Sequence, residues 1–174
     1  MIAAAMERLA YLKYLFRPGA WRWLVRRLDA LVVDHIQPWS VLRQPEGCQI
    51  HPTVSFRHPA SIRLGRFVRI QNHCCLWASP NSLITVGDYS GLGPGTMLYS
   101  SNHKYEPGVP YVKQPWVEKS IDIGSNVWVG AGCIILPGVK IGNDSVIAAG
   151  SVVVKDVPAG SLMGGVPARS LKDR

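Results

Sequence analysis

Apolar side chains recur every six residues through the C-terminal part of the chain. Each repeated position is aliphatic or small, the position after it is mostly Gly or Ala, and the position two before it is compact. The repeated positions are Ile123, Val129, Ile135, Ile141, Ile147, Val153 and Ala159. An amphipathic α-helix would need a period of about 3.6 residues. A period of six is typical of a β-helix, in which three short strands make one coil of about eighteen residues. The pattern therefore predicts a parallel β-solenoid over residues 121–162.

The same six-residue pattern, whose repeated apolar positions are called the frame, continues upstream with interruptions. Its members there are Ile50, Phe56, Leu64, Ile70, Leu76, Val86, Leu92 and Leu98. Spacings of eight and ten residues predict small insertions at the corners of the coils. The longest break covers residues 99–120, which are polar, aromatic and rich in proline. Because insertions leave a solenoid as loops that often bind ligands, we expect the chemistry in this loop.

The N-terminal segment follows a helical pattern instead. One apolar face comprises Leu24, Leu28, Leu31 and His35, and an earlier one comprises Ala5, Leu9, Leu12 and Phe16. Pro18-Gly19 separates them, and Pro38 and Pro45 are expected to end the region. The sequence therefore predicts two short amphipathic helices within residues 1–44, a β-helix domain over residues 45–162 and a tail over residues 163–174.

The net charge of +8 indicates an anionic partner, which could be nucleic acid, an anionic lipid surface or a phosphorylated small molecule. Residues 1–44 carry seven basic and three acidic side chains. The stretch that begins at Trp21 combines tryptophans with arginines, which suits an amphipathic helix on an anionic membrane surface. It also suits a cap over the open end of the solenoid with its arginines solvated, which is the favoured interpretation, and the two roles are compatible. Nucleic-acid binding has only the net charge behind it and is not expected.

The four cysteines, Cys48, Cys74, Cys75 and Cys133, have no C-x-x-C spacing. Cys74 and Cys75 would point to opposite faces of a strand, which disfavours a zinc site and a disulfide framework. Free thiols in a reducing cytoplasm are the simpler interpretation.

Arginines interrupt the N-terminal apolar stretch, so we expect neither a signal peptide nor a membrane span.

Three sequence blocks resemble the hexapeptide-repeat acyltransferases, and within them the maltose, galactoside and polysaccharide O-acetyltransferases. The blocks are SSNH ending at His103, IGSNVWVGAGCIILPGVKIGNDSVIAAGSVVVKDVP beginning at Ile123, and GGVPAR ending at Arg169. The resemblance covers roughly residues 48–172. It implies a left-handed β-helix, a homotrimer with active sites between subunits, and acetyl-coenzyme A (acetyl-CoA) as the donor.

The same resemblance assigns roles to individual residues. His103 matches the catalytic base, which takes a proton from the acceptor and returns it to the departing thiolate. Asp88, Glu106, Glu118 or a backbone carbonyl is expected to orient its ring, and a backbone N–H near Gly130 and Ala131 to stabilise the developing oxyanion.

The family commonly has Thr-Lys where this chain has Val154-Lys155. The positions matching the donor site are Trp128 beside the thioester, Ala131, Ala149, Val154 and Lys155 along the pantetheine and phosphates, and Arg169 near the nucleotide.

The acceptor positions carry over less directly. They are Asn72, His73, Asn81 and Tyr105, with His73 more often a structural residue at such a corner. Tyr105, Tyr111 and Trp116 would either stack on a sugar ring or pin the loop to a neighbouring subunit.

The leading hypothesis is an acetyl-CoA-dependent O-acetyltransferase acting on a saccharide in surface polysaccharide or lipopolysaccharide assembly. The alternatives are N-acetylation of an amino sugar or a xenobiotic, and a noncatalytic β-helix scaffold. No metal is expected, because His51, His58, His73 and His103 are too irregularly spaced for a three-histidine site.

Overall fold

A computed structural model describes Tyr14 and residues 16–171. Within that part of the chain the main body is a parallel β-helix with three faces, each formed by one parallel sheet. The helix predicted around Ala5, Leu9 and Leu12, and the basic residues Lys172 and Arg174, lie outside the described residues.

Successive coils contribute one short strand to each face. Face 1 contains β1 Gln49–Ile50, β4 Arg69–Ile70, β7 Gly91–Leu92, β12 Trp128–Val129, β15 Val146–Ile147, β17 Leu162–Gly165 and the antiparallel β18 Ala168–Ser170. Face 2 contains β2 Ser55–Arg57, β5 Cys75–Trp77, β8 Met97–Tyr99, β13 Ile134–Ile135 and β16 Val152–Val153. Face 3 contains β3 Ile62–Leu64, β6 Ile84–Val86, β11 Ile121–Ile123 and β14 Lys140–Ile141.

The six-residue frame forms the core, as the sequence predicts. On face 2, Ile135 pairs with Leu98 above and Val153 below, and all three side chains are at most 1% exposed. The compact residues two positions earlier are buried as well, among them Cys133 and Ser151 at 0%. Coils stack so closely that a Cβ at Gly87 would come within 2.6 Å of the Gly124 carbonyl carbon. The predicted mainly β, hexapeptide-type solenoid is therefore confirmed.

The frame ends one repeat earlier than the sequence predicts. Ala159 is exposed, and Val157 takes the inward place because it bridges Ile141. The corner between Val153 on face 2 and Val157 on face 3 is two residues shorter than the same corner one coil earlier, which moves the register by two positions. β17 begins at Leu162 and continues face 1 into the segment predicted as a tail.

The segment predicted as an extruded loop is partly ordered by an antiparallel hairpin. Its strands are β9 Ser101–His103 and β10 Trp116–Glu118, and a short 3-10 helix, Tyr111–Lys113, lies between them. Tyr99 still belongs to β8. The hairpin leaves the body at the corner between faces 2 and 3, where the Ser82 and Ser100 hydroxyls bond at 2.7 Å beneath it.

The N-terminal region is helical, but its path differs from the prediction. Helix α1 spans Pro18–Leu31, a π-helical turn spans Val32–Ile36, and helix α2 spans Gln37–Val41. Pro38 does not end the region, because the wider turn places it in the first turn of α2, where a missing N–H costs no hydrogen bond. The π-helical turn and α2 contact the first coil of the solenoid. His35 Nδ1 lies 3.1 Å from the Val54 carbonyl oxygen, and Trp39 packs edge-on against Phe56. Over the described residues, the helices are too short or too polar to cross a membrane.

Candidate active site

His103 ends β9 and is held between two aromatic rings. Its cross-strand partner Trp116 lies 4.0 Å away between ring centroids at 35°, and Tyr111 meets its edge at 5.3 Å and 90°. Below it, the Lys119 N–H donates to the Ser100 carbonyl oxygen at 2.8 Å and closes the hairpin onto the solenoid. Local strand pairing therefore fixes an imidazole at the corner between faces 2 and 3.

The two nitrogens of this imidazole have different surroundings. Nδ1 is buried and has no hydrogen-bond partner among residues 16–171. Nε2 is thus the nitrogen left open to the cavity that the ring lines. A free lone pair or N–H at this position is what proton transfer to or from a substrate requires.

None of the carboxylates expected to orient His103 bonds to it within the described chain. Asp88 forms an ion pair with Arg66 at 2.9 Å, which together with the Arg66 backbone N–H holds the pKa of Asp88 below its usual range. Glu118 instead accepts the Asn81 N–H at 2.7 Å. Packing against Trp116 and Tyr111 therefore orients the ring in this protomer, where neither a carboxylate nor a backbone carbonyl of the described residues bonds to Nδ1.

A cavity of about 540 Å³ opens beside His103. Its wall is a ladder of the last residues of β2, β5 and β8, which are Arg57, Trp77 and Tyr99 in direct register. The Trp77 indole N–H donates to Ser55 Oγ at 3.0 Å, and its ring meets Tyr99 edge-on at 5.3 Å. The cavity is lined by Arg57, His58, Trp77, Ala78, Ser79, Pro80, Tyr99, Ser101, Asn102, His103, Trp116 and Glu118.

Sequence reasoning missed this ladder, although the sequence contains a signal for it. In most repeats the residue after the frame position is small, but after Phe56, Leu76 and Leu98 it is Arg, Trp and Tyr. Because strand side chains alternate, large residues next to buried frame positions must point outward. Three outward large residues on neighbouring coils of face 2 predict a platform.

The candidate donor residues Ala131 and Ala149 lie at a different corner, between faces 1 and 2. They stack on neighbouring coils, since the Gly150 N–H donates to the Ala131 carbonyl oxygen at 2.8 Å. Both are exposed, and neither backbone N–H has an acceptor among the described residues. The Gly130 N–H, in contrast, already donates to Ile147, so of the two expected oxyanion donors only Ala131 is free.

The other donor residues are spread around the solenoid. Trp128 is 64% exposed on the outside of face 1, and Arg169 is exposed on β18 at the end of the same sheet. Val154 and Lys155 lie at the corner between faces 2 and 3, below the hairpin. One protomer thus does not bring His103 and all the donor residues to one place.

The candidate acceptor residues divide between the two corners. Asn81 lies at the corner of His103, and Tyr105 at the hairpin tip is 86% exposed. Asn72 and His73 lie at the corner of Ala131 instead. His73 has a φ of 59°, its N–H donates to Thr53 Oγ1 at 2.9 Å, and it lines a cavity against the N-terminal helices. This surrounding matches the structural role that the sequence favours for His73.

The cysteines are free thiols. Burial raises the pKa of the Cys74, Cys75 and Cys133 thiols. Among the described residues, no three His, Cys, Asp or Glu side chains are grouped so that they could hold a metal ion.

Comparison with known families and proteins points to one group. Residues 120–155 match the family described as bacterial transferase hexapeptide (six repeats). Nodulation protein L of Rhizobium meliloti is 32% identical over 161 residues, which cover 89% of this chain and 85% of that protein. Galactoside O-acetyltransferase of Escherichia coli is 32% identical over 128 residues, or 74% of this chain and 62% of that enzyme. The chain therefore spans less than two thirds of the length of the galactoside enzyme.

Solved structures resemble the fold closely. A hexapeptide-repeat acetyltransferase from Vibrio cholerae, 29% identical, superposes with a TM-score of 0.72 over 88% of this chain and 90% of that one. Galactoside acetyltransferase solved in complex with coenzyme A (CoA), 32% identical, superposes with a TM-score of 0.67 over 73% of this chain and 62% of that one.

Proposed function

The chain belongs to the bacterial hexapeptide transferase family, which has a left-handed β-helix, and on that premise we propose that it is an acetyl-CoA-dependent O-acetyltransferase of a saccharide. The observation that carries the proposal is His103, whose Nε2 is open to a cavity lined by aromatic rings. A solenoid that served only as a scaffold would have no need to hold an imidazole in this way. We place the reaction in surface polysaccharide or lipopolysaccharide assembly in the cytoplasm.

In this proposal His103 acts as a general base and then as a general acid. Nε2 takes the proton of an acceptor hydroxyl as its oxygen attacks the acetyl carbonyl, and it returns the proton to the departing thiolate. The free N–H of Ala131 is placed to stabilise negative charge on the carbonyl oxygen. No acyl-enzyme is required.

The corner at Ala131 and Ala149 fits the pantetheine arm of the donor. Two methyl side chains leave room for a thin chain, and the unpaired N–H of Ala149 offers a hydrogen bond to one of its amide oxygens, while that of Ala131 is kept for the oxyanion. Lys155 and Arg169 supply positive charge for phosphates, and exposed Trp128 supplies an apolar contact near the thioester. Val154 lacks the hydroxyl of the threonine common in the family, so we assign it no polar contact.

The separation of the two corners supports a homotrimer whose active sites lie between subunits. His103 stands at the corner of faces 2 and 3, whereas Ala131 and Ala149 stand at the corner of faces 1 and 2. A prism with three faces can place one corner of each protomer against a different corner of the next by threefold rotation. In such a trimer His103 of one protomer would serve a donor held by its neighbour.

We expect acceptor-dependent release of free CoA from acetyl-CoA when the protein is given a panel of sugars and amino sugars. Mass spectrometry of the product, before and after hydroxylamine treatment, separates an O-acetyl ester, which hydroxylamine cleaves, from an N-acetyl amide, which persists. A persistent product would favour the alternative, N-acetylation of an amino sugar or a xenobiotic. Binding of acetyl-CoA without transfer to any acceptor would favour a noncatalytic scaffold.

We also propose that helix α1 attaches the enzyme peripherally to an anionic membrane, besides any role of residues 1–44 as a cap. Its apolar stripe, Trp21, Val25, Leu28 and Leu31, is 48–61% exposed. At 100° per residue, Arg22 and Arg26 fall on the opposite side of the helix and Arg27 falls at its flank. An apolar stripe with basic residues outside it suits the headgroup region of an anionic bilayer.

Replacing Arg22, Arg26 and Arg27 together by Gln is expected to reduce binding to phosphatidylglycerol vesicles about a hundredfold, at roughly 1 kcal/mol per arginine near the surface. Co-sedimentation measures the bound fraction, and phosphatidylcholine vesicles serve as the neutral surface. Arg63→Gln, on the solenoid, is the matched control. Equal sedimentation of the triple variant and the parent would leave α1 with the cap role alone.

A further inference from the structure

Arg57 is the one Arg or Lys side chain among the described residues that line the His103 cavity, and it forms no ion pair with any of them. Among residues 16–171, the ion pair that forms is between Arg66 and Asp88. The other charged group in the cavity wall, Glu118, accepts the N–H of Asn81 and forms no ion pair with Arg57. The Arg57 guanidinium is therefore left without an ion-pair partner in the wall of the space in which the acceptor would bind.

The guanidinium is also held in one orientation. Its Cζ atom lies 3.6 Å from the centroid of the Trp77 ring, which is close for a cation stacked on an aromatic face. Trp77 is itself fixed by its hydrogen bond to Ser55 and by Tyr99. Because stacking uses the face of the guanidinium, its N–H groups, which point outward in the plane of the guanidinium itself, remain free for a bidentate anion.

A further acidic side chain lies near Arg57 without pairing with it. Asp34 of the π-helical turn and Arg57 both line a neighbouring cavity, but they form no ion pair. Burial raises the pKa of Tyr99, so its phenol stays protonated and neutral, with its hydroxyl 3.2 Å from Met97 Sδ. The aromatic wall from Trp77 to Trp116 offers an apolar surface on which a sugar ring can stack.

We infer that the cavity selects an anionic saccharide, whose carboxylate or phosphate binds the guanidinium of Arg57 while the sugar ring presents a hydroxyl to His103. The inference rests on the proposed acetyl transfer, and it names the class of acceptor. A carboxylate belongs to a uronic acid and a phosphate to a sugar phosphate, and both offer the paired oxygens that guanidinium binds.

Matched acceptors test the inference by turnover. Release of CoA is measured with glucuronic acid against its methyl ester, and with glucose 1-phosphate against glucose. We expect the parent protein to favour the anionic member of one pair by about tenfold to a hundredfold in kcat/KM, the range of a charge-assisted hydrogen bond. The pair with the larger ratio identifies carboxylate or phosphate as the group bound.

Substitutions then assign the preference to Arg57. Arg57→Gln is expected to remove most of the preference in kcat/KM for the anionic acceptor. Arg57→Lys should restore part of it, because lysine returns the positive charge but not the planar, bidentate guanidinium. Arg63→Gln is the control, since Arg63 is exposed on face 3, outside the cavity, and bonds the Ala60 carbonyl oxygen. An unchanged ratio in Arg57→Gln, or no preference in the parent protein, would overturn the inference.

Binding without turnover separates this inference from the proposed reaction. Titration calorimetry of glucuronate and glucose 1-phosphate is performed on His103→Ala and on the double variant His103→Ala/Arg57→Gln. Affinity that falls about tenfold or more in the double variant supports the anion site. Equal affinity overturns the site whatever the turnover assay shows. Arg57-dependent binding in a protein that transfers acetyl to no acceptor would overturn the acetyltransferase function and keep the site.

Discussion

Replacing His103 by Ala is expected to lower kcat for acetyl transfer by about a hundredfold to ten-thousandfold, the range that a positioned general base contributes. The Michaelis constant for acetyl-CoA should change little, because the proposed binding contacts to the donor are made by other residues, among them Ala131 and Ala149. Steady-state release of CoA at saturating acceptor measures both constants.

The matched control is His51→Ala. His51 is an exposed histidine whose Nδ1 lies 2.8 Å from Thr53 Oγ1, outside the His103 cavity. It should retain the kinetics of the parent protein. Substantial kcat in His103→Ala, with both variants folded by circular dichroism, would assign proton transfer to another group.

Replacing Ala149 by Trp is expected to raise the Michaelis constant for acetyl-CoA by about a hundredfold, the cost of a steric mismatch in a narrow channel. Ala149 is exposed at its corner, so an indole there adds bulk to the surface without entering the core. Competition by CoA against a fluorescent CoA analogue measures donor affinity independently of turnover.

Ala159→Trp provides the control at another exposed corner, between faces 3 and 1. It should bind donor as the parent protein does. Unchanged donor affinity in Ala149→Trp would mean that the pantetheine arm does not follow the Ala131 and Ala149 corner.

The body of the fold was predictable because every coil must bury an apolar side chain at the same repeated positions. Frame residues such as Ile135 and Leu98 must be buried and in register with their neighbours, so a spacing of six residues determines which side chains form the core. The prediction failed at Ala159, because the corner before it, between Val153 and Val157, is two residues shorter than in the coil above. A single shortened corner leaves no local sequence signal strong enough to reveal it.

The site was predictable only in part, because its geometry depends on pairing outside the repeat. The sequence located His103 in the segment that breaks the frame, but the stacking of Trp116 on its ring depends on the register of β9 against β10. Antiparallel register within an irregular insertion is set by the turn between its strands, which no repeat constrains. The sequence left open which group orients His103 for the same reason.

The two impaired variants, His103→Ala and Ala149→Trp, together test whether His103 and the donor corner act across subunits. His103→Ala and Ala149→Trp chains are co-expressed with different tags, and mixed trimers are isolated by purification on both tags in turn. In a closed ring of three, either mixed composition contains one interface that joins an intact His103 to an intact donor corner. We expect these mixed trimers to recover about one third of the parent activity at low acetyl-CoA. Mixed trimers no more active than the two separate variants would show that one protomer supplies both parts of the site.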